Sequence, residues 1–196
     1  MALICMAIHD TEENGRGVFT YKTLQSLFST VDWNRHRIVV IDNNSCEATK
    51  EVLSWLEDYR VDMSNAAGVC NITVITNSEN VGTARAINQA WKLRQPGENC
   101  IKIDNDVIIN TPGWVDEMEQ AIARDPQIGI CGLKRKDLIQ TTWHHDPHFR
   151  SEYKMLPHNP GERWICVEKS GDIIGTCTMY NPLLLDVETA GRLTLV

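Results

Sequence analysis

The sequence predicts an α/β fold in which helices flank a mostly parallel central sheet as a three-layer sandwich. Short apolar runs and amphipathic runs alternate four times up to residue 125, which is typical of strands and helices in a parallel sheet. A polar cluster follows each apolar run. The carboxyl ends of parallel strands share one edge, where such folds bind ligands, so we expect the clusters to converge there.

Composition and charge narrow the class of protein. The 196 residues, 42% of them hydrophobic, suit one globular domain with a substantial core. A net charge of -7 and scattered basic residues argue against nucleic-acid binding. The seven cysteines are widely spaced among apolar residues, which indicates reduced thiols. Neither a signal peptide nor an apolar run of membrane-spanning length is apparent, so a cytoplasmic protein is expected.

The first two strand and helix pairs are predicted from hydrophobic spacing. The strands are "ALICMAI" at 2–8 and "RIVVID" at 37–42. Each precedes a segment with apolar residues at helical spacing, and Ser45 is a plausible N-cap of the second helix. The predicted buried positions are Leu24, Leu27, Phe28 and Val31 in the first helix and Val52, Leu53, Trp55 and Leu56 in the second.

Two more pairs follow in the same order. "NITVIT" at 71–76 leads into a helix that Gly82 or Thr83 opens. "CIKID" at 100–104 precedes a helix that begins after Pro112. The predicted buried face of that last helix carries Val115, Met118 and Ile122.

The pattern loosens after residue 128. Short strands are predicted within 128–133 and within 169–181. The segment between them, 134–168, is rich in histidine, proline and aromatic residues. Its length and composition indicate an active-site loop or hairpin rather than a linker.

The fourth strand ends in "DND", from Asp104 to Asp106, which has two interpretations. An Asx-type turn could end the strand. Alternatively, a turn could bring both carboxylates to one cavity, where they would hold a hard divalent cation beside substrate phosphates. The apolar segments before and after the motif favour a cation site.

Two other strand ends carry groups that suit a nucleotide. Gly82 would let the backbone approach a phosphate, and Arg85 would add positive charge in the first helical turn. An ordinary helix start with an exposed arginine explains both equally well. Asp42 could accept from a nucleobase or a ribose hydroxyl, or it could cap the next helix, a role that fits Ser45 better.

The densest set of potential ligands comprises His144, His145, Asp146 and His148. Their spacing does not match a zinc signature, and Pro147 argues against one helical face. A solvated loop is the favoured interpretation. The alternative is that one of these histidines completes a metal or acceptor site.

Taken in order, these motifs resemble glycosyltransferase family 2, whose Rossmann-like fold is called GT-A. The stretches that carry the resemblance are "ICMAIHDTEENG", "VVIDNNSCEAT", "NVGTARAIN" and "DND" followed by "TPGW". The resemblance covers residues 1–135 well and 170–191 more loosely. It implies a single domain over 1–196, with a donor-binding half at 1–133 and a C-terminally incomplete acceptor-side half at 134–196.

The resemblance implies a nucleotide-diphosphosugar donor and a Mn²⁺ or Mg²⁺ cofactor. Asp104 and Asp106 would engage the ribose and the metal, with Asp106 the more direct ligand. The cation would neutralise the departing nucleoside diphosphate while an acceptor hydroxyl attacks the anomeric carbon. The donor-binding residues implied in this way are Ala7 and His9 near the base, Asp42, Asn80, Gly82, Arg85, Asp104, Asn105 and Asp106.

Two departures from the family pattern affect this interpretation. The second acidic residue after the second strand is Asn43 here, which weakens the case for base recognition. Inverting members keep a general-base carboxylate beyond the acceptor-side helix, but Asp172, Asp186 and Glu188 lie in no matching motif. We therefore expect a truncated chain, with a retaining enzyme or a non-catalytic protein as the alternatives, and no catalytic base is assigned.

The sequence thus predicts a metal-dependent glycosyltransferase that transfers a sugar to a hydroxyl acceptor. The acceptor could be a sugar, a lipid-linked group or a protein. A sugar-nucleotide nucleotidyltransferase is one alternative, although "HDTEENGRG" lacks the Gly- and Lys/Arg-rich loop of such enzymes. The other is a nucleotide-sugar-binding subunit without catalytic activity, which the missing base leaves open.

Overall fold

The structure is a computed structural model that describes residues 1–65, 72–133, 152–159, 163–169 and 175–185. Strands and helices alternate in its N-terminal part, and a hairpin and a last strand follow. The elements are β1 (Ala2–Ile8), α1 (Gly17–Thr30), β2 (Arg37–Asp42), α2 (Glu47–Asn65), β3 (Ile72–Thr76), α3 (Thr83–Trp91), β4 (Asn99–Ile103), α4 (Trp114–Arg124), β5 (Ile130–Gly132), β6 (Glu152–Asn159), β7 (Arg163–Lys169), β8 (Cys177–Tyr180) and α5 (Pro182–Leu185).

The central sheet has six strands in the order β3-β2-β1-β4-β8-β5. β1 pairs in parallel with both β2 and β4, and β2 pairs in parallel with β3. β8 lies antiparallel between β4 and β5. This arrangement confirms the predicted α/β class and the mostly parallel sheet. The parallel pairing places the carboxyl ends of the first four strands at one edge.

Both faces of the sheet are buried, which explains why β1 is apolar at every position. Ile4 and Met6 belong to a core that α1, α2 and α4 cover. Leu3 and Cys5 belong to a second core, which α3 covers. A strand buried on both faces loses the alternation of polar and apolar residues that a half-exposed strand shows.

Two details of the helix predictions are wrong. Trp55 is 37% exposed rather than buried, and its ring lies against those of Tyr21 and Phe28. Ser45 does not cap α2, because the helix begins at Glu47 and its first turn bonds back to Cys46 O; the Ser45 hydroxyl accepts instead from the backbone N–H of Asp10 at 3.1 Å. An aromatic residue at helical spacing can still lie at the rim of a core. A serine just before a helix can accept a hydrogen bond from a different loop.

The predicted hairpin after residue 134 is confirmed in part, because β6 and β7 pair antiparallel and pack on α4. The histidine cluster at 144–148 lies outside the described residues, as do Asp172, Asp186 and Glu188. In the part of the chain that the structure describes, no helix is long and apolar enough to cross a membrane.

Candidate active site

The loops that follow β1, β2 and β3 are joined by backbone hydrogen bonds at the carboxyl edge of the sheet. The N–H of Asn43 donates to Ile8 O at 2.8 Å, and the N–H of Asn77 donates to Asp42 O at 2.7 Å. The turn after β4 is joined to the start of β8, since the N–H of Asp104 donates to Thr176 O at 2.9 Å. The polar clusters therefore converge, as predicted.

Asp10 is the centre of a buried polar network beneath this edge. Its side chain is fully buried, and its Oδ2 accepts from the hydroxyls of Thr20 at 2.7 Å and Thr49 at 3.0 Å. Its Oδ1 accepts from the amide of Asn105 at 3.0 Å. A buried carboxylate without a cation is tolerated when its oxygens are hydrogen-bonded in this way. Asp10 thereby links the loop after β1 to α1, α2 and the turn after β4.

The segment after β4 lies along a stripe of hydroxyl side chains on α1. The Asn105 amide donates to Thr20 Oγ1 at 2.8 Å. The N–H of Val107 donates to Thr23 Oγ1 at 3.1 Å, and the N–H of Ile109 donates to Ser26 Oγ at 3.2 Å. Alternate residues of the segment are thus held by successive turns of α1, which fixes the position of the motif.

The three residues of "DND" point in different directions. Asn105 is only 8% exposed and uses its amide within the network beneath the edge. The side chains of Asp104 and Asp106 are 37% and 42% exposed. Asp104 is paired with Lys102, and Asp106 Oδ2 lies 2.5 Å from Arg16 Nη2. The motif therefore presents two carboxylates outward and anchors itself through the residue between them.

Asp42 is fully buried at the end of β2 and has one unused oxygen. Its Oδ1 accepts from the N–H of Ser45 at 2.9 Å. Its Oδ2 is buried and has no hydrogen-bond partner among the described residues. An unpartnered buried carboxylate oxygen is costly and rare. Asp42 thus closes the turn that precedes α2 rather than capping the helix itself, and it still retains an acceptor for a ligand.

A chain of side-chain amides joins the ends of β2 and β3 to α3. Asn77 donates to Asn43 Oδ1 at 2.8 Å and exchanges hydrogen bonds with Gln89 at 2.9 and 3.1 Å. His9 Nδ1 lies 2.9 Å from the carbonyl oxygen of Asn43. A carbonyl only accepts, so Nδ1 is the donor in this hydrogen bond. Asn43, which departs from the family pattern, therefore connects three elements.

The remaining predicted donor residues lie near the start of α3 and in β1. Gly82 precedes α3 with φ 82° and ψ 157°, a conformation that glycine adopts readily and other residues rarely do. Asn80 Oδ1 accepts from the N–H of Gly82 at 2.9 Å and shapes this turn. Arg85 is exposed in the first turn of α3. Ala7 is half-buried near the end of β1, beside the core that α3 covers.

Sequence reasoning missed the two cations beside the motif and most of the network beneath it. Arg16 lies 90 residues from Asp106 in the sequence, so no local pattern links the two. Lys102 and Asp104 are two residues apart and share one face of an extended strand, which is a signal that could have been read. The hydroxyl stripe had a readable signal, because Thr20, Thr23 and Ser26 recur at about one helical turn on the face that also carries Leu24 and Leu27.

A second cluster, at the opposite edge of the sheet, has the composition of a metal site. Ligand atoms of His36, Asp116 and Glu119 lie within 4.8 Å of one another. This edge lies one strand length from Asp10, roughly 20 Å for a strand such as β1. Arg35 pairs with both carboxylates, and the N-terminal ammonium lies 2.9 Å from Glu119. Two cations already balance the two carboxylates, so this cluster is an ion network and is separate from the "DND" motif.

Comparisons with solved structures identify the fold. The solved structure of a Pyrobaculum calidifontis mannosyltransferase, in complex with GDP-Man and Mn²⁺, superposes with a TM-score of 0.56 at 18% identity over 68% of this chain and 35% of that one. Residues 1-349 of S. aureus TarS in complex with UDP give 0.52 at 21% identity over 69% of this chain and 36% of that one. The chain thus spans about a third of the length of these structures. They show that the fold is GT-A.

Sequence comparisons identify the family. A Sinorhizobium fredii protein described as the uncharacterized protein y4gI is 27% identical over 117 residues, which cover 57% of this chain and 11% of that protein. The model of the family described as Glycosyl transferase family 2 matches residues 14–186. That match takes in β2, β3 and β4 with the polar groups that follow each of them. The chain therefore belongs to glycosyltransferase family 2.

Proposed function

We propose that this chain transfers a sugar from a nucleotide-diphosphosugar to a hydroxyl acceptor and that Asp104 and Asp106 hold a divalent cation. The observation that carries the proposal is the geometry of "DND", in which Asn105 is anchored inward and both carboxylates face solvent. They do so at the sheet edge where ligands bind in such folds. Family membership supplies the reaction class and argues against a nucleotidyltransferase.

The oxygen ligands that the motif offers fit a hard cation. Two carboxylates on one turn, both open to solvent, are the oxygen ligands that Mn²⁺ or Mg²⁺ prefers. Such a cation would offset the charge that develops on the leaving nucleoside diphosphate. The structures of the relatives with GDP-Man and UDP support a nucleotide-sugar ligand for this chain as well.

The other groups at this edge suit the nucleoside and the phosphates. Asp42 Oδ2 can accept from a base N–H or a ribose hydroxyl, which would remove its unsatisfied state. The N-terminus of α3 and the Arg85 guanidinium attract anionic oxygens. The acceptor's general base is not assigned, and a cytoplasmic location stays a prediction.

Calorimetric titration of UDP and GDP, with and without Mn²⁺, tests the donor site. Wild-type protein is expected to bind at least one of the two nucleotides more tightly when Mn²⁺ is present. Asp106→Ala should weaken that binding by more than about tenfold, since loss of groups at a metal site has effects of this size or larger. Glu51→Ala, on the exposed side of α2, is the matched control and should bind as the wild type does.

Two results would contradict the proposal in different ways. Binding that is absent, or indifferent to both Mn²⁺ and Asp106, would refute the donor site. Intact binding without detectable hydrolysis or transfer of a nucleotide sugar would instead support the binding subunit that lacks catalytic activity.

A further inference from the structure

Two basic side chains, one on each side of the "DND" motif, occupy the carboxylates that a metal would need. Arg16 comes from the loop before α1, and its Nη2 lies 2.5 Å from Asp106 Oδ2. Lys102 comes from β4 and pairs with Asp104, and its Nζ also donates to Gly175 O at 2.5 Å. The motif is thus flanked by one cation for each carboxylate.

These pairs weaken the attraction of the motif for a divalent cation. Two carboxylates and two cations sum to no net charge, so the local field that would draw in Mn²⁺ is small. The guanidinium 2.5 Å from Asp106 Oδ2 takes up one lone pair of that oxygen, and its positive charge repels a metal ion on the same carboxylate. Both pairs are open to solvent, with Arg16 41% and Lys102 20% exposed, so neither is locked by burial.

A diphosphate changes this balance because it offers the two cations another partner. Arginine binds phosphate oxygens through two parallel N–H donors, and lysine binds them as a point charge. A diphosphate that bridges to a metal on Asp104 and Asp106 would lie within reach of both basic groups, since each already contacts one of those carboxylates.

We propose that Arg16 and Lys102 exchange partners when the donor binds, moving from the "DND" carboxylates to the diphosphate while the metal takes their place. This inference rests on the proposed function and adds two diphosphate-binding residues to it. The exchange makes metal and nucleotide binding interdependent. By linkage, each ligand then raises the affinity for the other by the same factor.

The test compares Mn²⁺ and nucleotide affinities of wild type, Arg16→Gln and the control Lys22→Gln, which removes an exposed cation from α1. Mn²⁺ binding is followed by electron paramagnetic resonance without nucleotide, and UDP and GDP binding by calorimetry with Mn²⁺. Arg16→Gln should raise the Mn²⁺ affinity of the nucleotide-free protein about two- to fivefold, the range for an exposed ion pair. It should lower the diphosphate affinity by at least about tenfold, as expected for a lost charge-assisted hydrogen bond.

Opposite changes in the two affinities are the signature of the exchange. Lys102→Gln should reproduce them, Lys22→Gln should change neither affinity, and uridine or guanosine should bind wild type and Arg16→Gln equally. If Arg16→Gln lowers both affinities, or alters neither, the exchange is refuted even though the donor site stands. If wild type binds neither UDP nor GDP, the proposed function itself fails.

Discussion

Asn105 shows how one buried amide orients two neighbouring carboxylates. Its Nδ2 donates both protons, one to Asp10 and one to Thr20. Neither acceptor can turn to solvent, because both side chains are fully buried. The central residue of the motif is therefore committed to the interior, and Asp104 and Asp106 are left at the surface.

Replacing Asn105 by alanine should destabilise the fold and loosen the motif. Loss of the amide leaves an oxygen of Asp10 without a donor in a buried place, which costs about 1–3 kcal/mol of unfolding free energy. Urea denaturation would measure this cost. Asn110→Ala, an exposed position on the same segment, is the matched control and should change stability by less than about 0.5 kcal/mol. Equal stabilities of the two variants would contradict the anchoring role.

At the residue scale, the sequence predicted which groups lie at the edge but not how each is used. Asp42 and the "DND" carboxylates could be chosen because each follows an apolar run. Burial separated their roles, since Asn105 faces inward and its neighbours outward. The pairing of Arg16 with Asp106 joins positions that are 90 residues apart, and no local pattern encodes such a contact.

At the scale of elements, α1 both covers the sheet and positions the site. Its buried face carries Leu24 and Leu27 for the core and a stripe of hydroxyls at Thr20, Thr23 and Ser26 for the segment after β4. The hydroxyls of Thr23 and Ser26 accept from backbone N–H groups of that segment, and the Thr20 hydroxyl accepts from the side-chain amide of Asn105. The helix thus provides the hydrogen bonds that a neighbouring strand would otherwise supply.

Thr23→Val should separate these two functions of α1. Valine keeps the shape of threonine but removes the acceptor of the Val107 N–H, so the cost should be about 1–3 kcal/mol of unfolding free energy. Chemical denaturation would detect it, and the Mn²⁺-dependent nucleotide affinity should fall as well. Ser29→Ala, on the exposed side of the same helix, is the control and should leave both quantities near the wild-type values. A stable Thr23→Val variant would show that the stripe is dispensable.

The bounds of a strand were predictable from the sequence where burial alone determined which residues belong to it. Burial on both faces makes β1 and the interior of β2, Ile38 to Ile41, uninterrupted apolar runs, and the predicted bounds 2–8 and 37–42 are confirmed. Ser45 was the wrong N-cap because α2 begins only at Glu47, and the Ser45 hydroxyl accepts from the loop after β1 instead. Choices between two nearby hydrogen-bond partners depend on the tertiary structure, which hydrophobic spacing does not describe.

At the scale of the whole molecule, the sheet separates two charged regions. The candidate active site lies at the carboxyl edge, and the ion network of His36, Asp116 and Glu119 lies at the amino edge. In that network, His36 Nδ1 accepts from the N–H of Ala2 at 3.2 Å, and Nε2 lies 3.3 Å from Asp116. The network thus links the start of β1 to α4 and stabilises the edge of the sheet opposite the predicted nucleotide-sugar-binding residues.

This network should make stability depend on pH. Burial lowers the pKa of His36 below its usual value, although Glu119 and Asp116 oppose the shift and Arg35 adds to it. The unfolded chain, with a pKa near 6.5, therefore binds a proton first as the pH falls. His36 contributes stability above that pH, and the contribution is lost as the pH falls toward the folded pKa.

Unfolding free energies at pH 7.5 and 5.5 should show a decrease for wild type and a smaller one for His36→Gln. His158→Gln, in the hairpin, is the control and should keep the wild-type decrease; a decrease in His36→Gln as large as in wild type would exclude His36 as its source.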